Sequence, residues 1–142
     1  MFYLSHGGWS DETTIMGTDT DQFHNELVND LIPAVESKYS TYAEDTTPEG
    51  LAGSRDHRGF GGFSMGSVNT WNTFRYCLDY FRYFMPMSGS YSLDGQYMAE
   101  LVKQQGHDAD GNMSFLEREG YEHNGTACDE YTYNGLRFFW NK

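Results

Sequence analysis

Residues 59–66 constrain the fold more than any other part of this sequence. They are rich in glycine, contain one serine, and lie between an apolar stretch and a helical pattern. Residues 62–66 read Gly-Phe-Ser-Met-Gly, a G-x-S-x-G pattern. A serine on a tight strand-to-helix turn projects its hydroxyl above the sheet, and the flanking glycines let the backbone turn without Cβ clashes. A five-residue pattern of this kind can occur by chance, so whether it indicates a catalytic serine depends on the elements around it.

Strand and helix patterns alternate along the chain. Four short apolar runs predict strands, at Phe2–Ser5, 58–63, Tyr83–Met87 and 113–117. Helical patterns follow at about 23–39, from Met65 onward, at 97–105 and at about 126–139. Alternation of this kind predicts an α/β fold, with a mainly parallel sheet of about four strands and flanking helices. A chain of 142 residues is expected to form one domain, over 1–142.

Three local features add detail to this pattern. Pro33 lies inside the first predicted helix and should kink it. The second helix carries Val68, Trp71, Phe74 and Leu78 at helical spacing. The stretch 40–56 is rich in Thr, Glu and Gly and is expected to be a polar loop.

Loops at the carboxyl ends of parallel strands carry function in folds of this type. The four predicted strands are followed in turn by His6-Gly7-Gly8, Ser64, Ser88-Gly89-Ser90 and His123-Asn124-Gly125. A glycine-rich turn, a serine, a polar turn and a histidine are therefore expected along one rim of the sheet.

Ser64 is the predicted nucleophile. The alternative is an ordinary turn serine or a helix N-cap, but glycines on both sides and the rim position favour catalysis. The backbone N–H of Met65 then faces the same space at a helix start, where the helix dipole favours an oxyanion.

His123 is the predicted general base. It is a loop histidine after the last predicted strand, and hydrolases of this topology place their residues in the chain order serine, acid, histidine. The other four histidines are expected to be solvated or structural: His6, His24, His57 and His107.

The loop of Gly7, Gly8 and Trp9 is expected to supply a second oxyanion donor from a backbone N–H. The alternative is a turn that only ends the first strand. No acid can be assigned, since no aspartate after Ser64 follows a recognisable strand. The candidates are Asp79, Asp94, Asp108, Asp110 and Asp129.

Composition excludes several classes of partner. Nine Lys and Arg residues against 21 Asp and Glu give a formal net charge of −12, which argues against nucleic acid and anionic membrane. The first residues lack a basic signal-peptide region, so any secretion signal is expected to have been removed or never present. Cys77 and Cys128 fall in predicted helices without metal-site spacing, which favours buried thiols over a disulfide.

Several segments together resemble the feruloyl esterase modules attached to bacterial xylanases, which are esterase D-like carbohydrate esterases with an α/β-hydrolase fold. They are Arg58-Gly-Phe-Gly-Gly-Phe-Ser-Met-Gly, Cys77-Leu-Asp-Tyr, Tyr83-Phe-Met-Pro-Met-Ser-Gly, Leu31-Ile-Pro-Ala-Val-Glu-Ser-Lys-Tyr-Ser and Tyr121-Glu-His-Asn-Gly. The resemblance implies a secreted serine carboxylesterase that cleaves feruloyl or other hydroxycinnamoyl esters of plant cell-wall xylan, or small aryl esters, through an acyl-enzyme. Ser64 and His123 would then be catalytic, the 6–9 loop and Met65 would form the oxyanion hole, and no metal or cofactor is implied.

The chain departs from that family in two internal segments. A helix and strand are missing before the helix that starts near Asp21, and the strand that carries the catalytic acid is missing before His123. Trp9 and Ser67 stand where the family often has glycine. We therefore expect a shortened α/β-hydrolase with an exposed sheet edge that favours self-association.

Two other functions compete with this interpretation. The missing acid strand and the rim aromatics Trp9 and Tyr91 favour a non-catalytic or vestigial carbohydrate-binding module. Among enzymes, the nearer rival is a general acyl-ester or thioester hydrolase.

Overall fold

A computed structural model describes residues 2–5, 22–89 and 119–140 of the chain. The chain divides into two compact units, Met1–Gly89 and Ser90–Lys142. The first unit contains a parallel three-stranded sheet in the order β1-β2-β3. Its strands are β1 (Phe2–Ser5), β2 (Gly59–Phe63) and β3 (Tyr83–Met87). Three predicted strands and the α/β class are thus confirmed, and the fourth predicted strand, 113–117, lies outside the described residues.

The central strand β2 has little side-chain surface of its own, because its sequence is Gly-Phe-Gly-Gly-Phe. Glycine in a strand costs conformational entropy, so this strand depends on its two neighbours for stability. Phe60 supplies its buried apolar group and packs edge-on against Phe81, with ring centroids 5.8 Å apart. The buried cluster around it contains Leu27, Ile32, Leu51, Phe60, Cys77 and Phe81.

The first helical segment is irregular where the sequence predicts a kink. Residues 22–26 are α-helical, Leu27–Leu31 form a π-helical turn, and α1 follows as Ile32–Lys38. Pro33 lies in the first turn of α1. Proline lacks a backbone N–H and its ring clashes with the carbonyl four residues before it, so a wider turn directly before Pro33 accommodates it.

The expectation of a polar loop over 40–56 is wrong in part, because this stretch contains the helix α2 (Pro48–Gly53) and a 3₁₀ turn at Arg55–His57. Thr47 caps α2 by accepting a hydrogen bond from the Gly50 N–H at 3.1 Å. Proline at the first helical position and the buried side chain of Leu51 also favour a helix here.

The helix α3 (Met65–Tyr76) begins at the predicted residue. Its fully buried side chains are Ser67, Thr70, Asn72 and Thr73, while the larger Val68, Trp71 and Phe74 are only half-buried. The buried threonine hydroxyls donate to carbonyls one turn back, each at 2.8 Å. A face of small residues lets α3 approach the glycine-rich strand closely. Leu78 lies beyond the end of this helix.

A buried ion pair holds the chain at the start of β2. The Arg58 Nε donates to the Glu36 Oε1 at 2.6 Å, and the two side chains are 1% and 2% exposed. The rest of the guanidinium donates to the carbonyls of Leu51 and Tyr80 and to the hydroxyl of Ser54. Arg58 thereby ties α1, α2 and the segment before β3 to the entry of the central strand.

The Glu36 carboxylate is stabilised in its charged form. Burial alone would raise the pKa of Glu36, but the hydrogen bond and charge of Arg58, with a hydrogen bond from Thr41, outweigh it and hold the pKa below its ordinary value. The ion pair is therefore intact at neutral pH.

In the second unit the structure describes the helix α4 (Gly125–Trp140), which confirms the predicted helix at about 126–139. The Asn124 side chain accepts a hydrogen bond from the Ala127 N–H at 3.0 Å, as an N-cap does. The predicted helix at 97–105 lies outside the described residues.

Candidate active site

Ser64 lies between the last residue of β2, Phe63, and the first residue of α3, Met65. Its backbone has φ 60° and ψ −117°, a conformation that non-glycine residues rarely adopt. The Ser64 N–H donates to the Met87 carbonyl of β3 at 2.9 Å, which fixes this turn against the neighbouring strand. Backbone strain of this kind costs on the order of 1–3 kcal/mol and clusters at functional sites.

Ser64 is not an ordinary helix cap, and Thr47 in the same chain shows the difference. Thr47 has φ −68° and ψ 156° and its side chain accepts a hydrogen bond from the helix it precedes. Ser64 occupies the corresponding position before α3, but its side chain makes no capping hydrogen bond. The strained backbone at Ser64 is therefore not explained by helix capping.

Glycines on both sides of Ser64 allow strand and helix to meet. A methyl group added at Gly62 would lie 2.3 Å from the Gly66 carbonyl oxygen and 2.7 Å from the Gly66 Cα. No rotamer change could relieve such a contact, since both partners are backbone. Glycine at position 62 is thus a requirement of the turn geometry.

The turn that follows β3 also contacts the Ser64 segment. Ser88 has φ 51°, and a methyl group added at Gly89 would lie 2.4 Å from the Ser64 carbonyl oxygen. The buried Ser67 hydroxyl donates to the Gly89 carbonyl at 3.4 Å. The sequence indicates a polar rim turn at 88–90 but gives no signal for the role of Ser67, whose partner is distant in the chain.

Met65 is the first residue of α3. The first N–H groups of a helix have no partner within it and carry the positive end of its dipole, so the Met65 N–H can receive an oxyanion. The other expected donors, from Gly7, Gly8 and Trp9, lie outside the described residues and stay a prediction.

His123 lies in the second unit and is exposed, directly before the Asn124 cap of α4. Ser64 and Met65 lie in the first unit, so the pairing of His123 with Ser64 stays a prediction. His24 stacks on Tyr76, and His57 on Tyr42, with centroids 4.3 Å and 3.9 Å apart.

No aspartate is established as the catalytic acid. Asp79 is exposed in the turn after α3. Asp129 is exposed on α4, and the other three candidates, Asp94, Asp108 and Asp110, lie outside the described residues.

Both cysteines are free. Cys77 is buried just after α3, and burial, with the charge of Asp79, raises the pKa of its thiol to about 12. Cys128 is half-buried on α4. Within the described ranges no three potential ligands come together to hold a metal ion, and no helix is long and apolar enough to cross a membrane.

Among solved structures, a serine-to-alanine mutant of the feruloyl esterase module from Clostridium thermocellum, complexed with sinapinate, is 39% identical with a TM-score of 0.63. The match covers 74% of this chain and 50% of that one. The resemblance to feruloyl esterase modules is confirmed. A solved structure designated FAE gives 40% identity, the same TM-score and the same coverage.

The similarity to the feruloyl esterase module extends to a xylanase. Endo-1,4-beta-xylanase Y from Acetivibrio thermocellus is 44% identical over 123 residues, which takes in 64% of this chain and 11% of the xylanase. No family model matches the sequence. The chain spans half the length of the solved chains it matches. This coverage is compatible with the loss of two internal segments, which stays a prediction.

Proposed function

We propose that this protein is a serine carboxylesterase that hydrolyses feruloyl or related hydroxycinnamoyl esters of plant cell-wall xylan. The observation that carries the proposal is the backbone of Ser64, which is strained, is buttressed by glycines and is not used to cap α3. Similarity to a feruloyl esterase module supports the ester class.

In the proposed reaction the Ser64 hydroxyl attacks the ester carbonyl while His123 accepts its proton. The Met65 N–H and the loop of Gly7, Gly8 and Trp9 stabilise the negative charge on the carbonyl oxygen. His123 then gives the proton to the departing alcohol, leaving the acyl group on Ser64. Water attacks this ester with His123 again as base, which releases the carboxylic acid and restores the serine.

The related module binds sinapinate, a hydroxycinnamate, and we infer that the acyl group here belongs to the same class. The alcohol would be a xylan side chain or a small alcohol, and the negative charge of the protein argues against polyanions while leaving a neutral polysaccharide open. Since xylan lies outside cells, we propose an extracellular place of action.

The test combines turnover with covalent labelling. Wild type should hydrolyse methyl ferulate and react with a fluorophosphonate probe at Ser64. Ser64→Ala should not be labelled, and its kcat should fall at least about 10³-fold, as expected for loss of a serine nucleophile. Ser37→Ala is the matched control, because Ser37 is exposed on α1 and its hydroxyl donates locally to the Ala34 carbonyl. Equal turnover by wild type and Ser64→Ala would remove Ser64 from the mechanism.

The rival carbohydrate-binding module is tested by the same experiment. It requires binding of xylan oligosaccharides in calorimetry with no ester turnover and no probe on Ser64. Labelling of Ser64 would reject it. A panel of p-nitrophenyl esters, thioesters and methyl ferulate separates a feruloyl esterase from a general acyl hydrolase.

A further inference from the structure

Three contacts join the turn after β3 to the segment that carries the proposed nucleophile. The Ser64 N–H donates to the Met87 carbonyl at 2.9 Å. The Cα of Gly89 packs so closely that an added methyl group would lie 2.4 Å from the Ser64 carbonyl oxygen and 2.5 Å from the Ser67 Cβ. The Ser67 hydroxyl donates to the Gly89 carbonyl at 3.4 Å.

Ser67 connects the two segments from within α3. Its N–H donates to the Ser64 carbonyl at 2.9 Å, while its side chain is fully buried against Gly89. The Ser64 carbonyl is thus held by Ser67 on one side and covered by Gly89 on the other. A displacement of Gly89 therefore has to move Ser64 or Ser67.

Ser88 adds a second strained residue beside the first. Its φ of 51° lies in the left-handed region, and among the described non-glycine residues Ser64 and Ser88 alone have positive φ. Such conformations persist only where the surrounding structure fixes them. The two lie at the same edge of the sheet, directly after β2 and β3.

We propose that the Ser88–Gly89 turn is a positioning element for Ser64 and acts through Ser67. The proposal rests on the esterase function proposed above and assigns neither Gly89 nor Ser67 a contact with the reacting atoms. The turn holds the Ser64 peptide in the strained conformation from which the hydroxyl attacks. A misplacement of about 1 Å at a reacting group can cost about a hundredfold in rate, so the positioning is consequential.

Gly89→Ala tests the contact itself, and Gly53→Ala is its matched control, because a methyl group at Gly53 meets nothing within 4 Å. We expect Gly89→Ala to lower both kcat on methyl ferulate and the rate of fluorophosphonate labelling by about tenfold to a hundredfold. KM should change less than about threefold, since substrate contacts are kept. A folded Gly89→Ala protein that is labelled at the wild-type rate would overturn the proposal.

Ser67→Ala keeps the proposal testable if Gly89→Ala does not fold. It removes one buried hydroxyl and leaves the backbone bond to Ser64 intact. We expect kcat to fall about threefold to tenfold, as for loss of one buried hydrogen bond, with KM unchanged. An unchanged kcat in folded Ser67→Ala would refute the role of Ser67.

Amide hydrogen exchange separates this proposal from the proposed function. The Ser64 N–H, bonded to Met87, should exchange at least about threefold faster in Ser67→Ala than in wild type, whether or not the protein has esterase activity. Absence of labelling in wild type would reject the esterase function alone. An unchanged Ser64 exchange rate in Ser67→Ala would reject the positioning role alone.

Discussion

Replacement of Arg58 by methionine should destabilise the protein severely, because it leaves the Glu36 carboxylate buried without its partner. The pair is 1% and 2% exposed, and the guanidinium also satisfies two carbonyls and the Ser54 hydroxyl. Breaking a buried ion pair from one side costs about 3–5 kcal/mol. That is a large share of the 5–15 kcal/mol that typically stabilises a domain.

Urea unfolding of the full chain, followed by far-UV circular dichroism, measures this loss. The exposed pair Arg82–Asp56 is the matched control, because its N–O distance of 2.8 Å is similar but its side chains are 40% and 56% exposed. Asp56→Asn should cost less than about 1 kcal/mol. A loss below about 1 kcal/mol in Arg58→Met would refute the reasoning.

A double mutant tests the cause of the loss. Glu36→Gln combined with Arg58→Met removes the unpaired charge, so it should be more stable than Arg58→Met alone. If the double mutant is no more stable, packing and lost hydrogen bonds, and not the unpaired carboxylate, account for the destabilisation.

Three further predictions concern acid stability, the missing acid and thiol reactivity. Because the folded-state pKa of Glu36 is below its ordinary value of 4.5, its stabilising contribution is full above that value and is lost as pH falls through the folded pKa. Glu36→Gln should therefore flatten the fall in unfolding free energy between pH 6 and pH 3, and an unchanged slope would contradict this. Asp108→Asn and Asp110→Asn should each change kcat by less than about tenfold, roughly 1.4 kcal/mol, and a far larger loss with folding intact would identify the acid. Cys77, with a thiol pKa of about 12, should resist Ellman's reagent in the folded protein and react only in urea, and rapid native reaction would contradict its burial.

The sequence is sufficient to locate β1, β2, β3 and the serine turn, because these elements depend on local chemistry. Apolar runs at β1 and β3 and the glycine–serine pattern at 62–66 each impose one backbone path. The polar composition of 40–56 predicts a loop and masks the typical helix start at Thr47-Pro48-Glu49, which opens α2.

Features that depend on contacts between distant residues could not be predicted from the sequence. Glu36 and Arg58 are 22 residues apart, and neither position by itself shows that both side chains are buried. Ser67, Thr70 and Thr73 are buried because α3 packs closely against the glycine-rich strand. The residue types of α3 alone do not predict that burial. The partner of His123 depends on how distant segments assemble, which residue spacing does not determine.

The pairing of β2 with strands on both sides has a consequence for how the protein folds. Phe2 pairs with Gly59, and Gly59 pairs with Tyr83, so both pairings close long loops and their formation is expected to be slow. The Ser64 turn is bonded to Met87 and cannot take its native shape before that residue is available. On the ribosome, the reactive turn should therefore form only after the chain through Met87 has emerged from the exit tunnel.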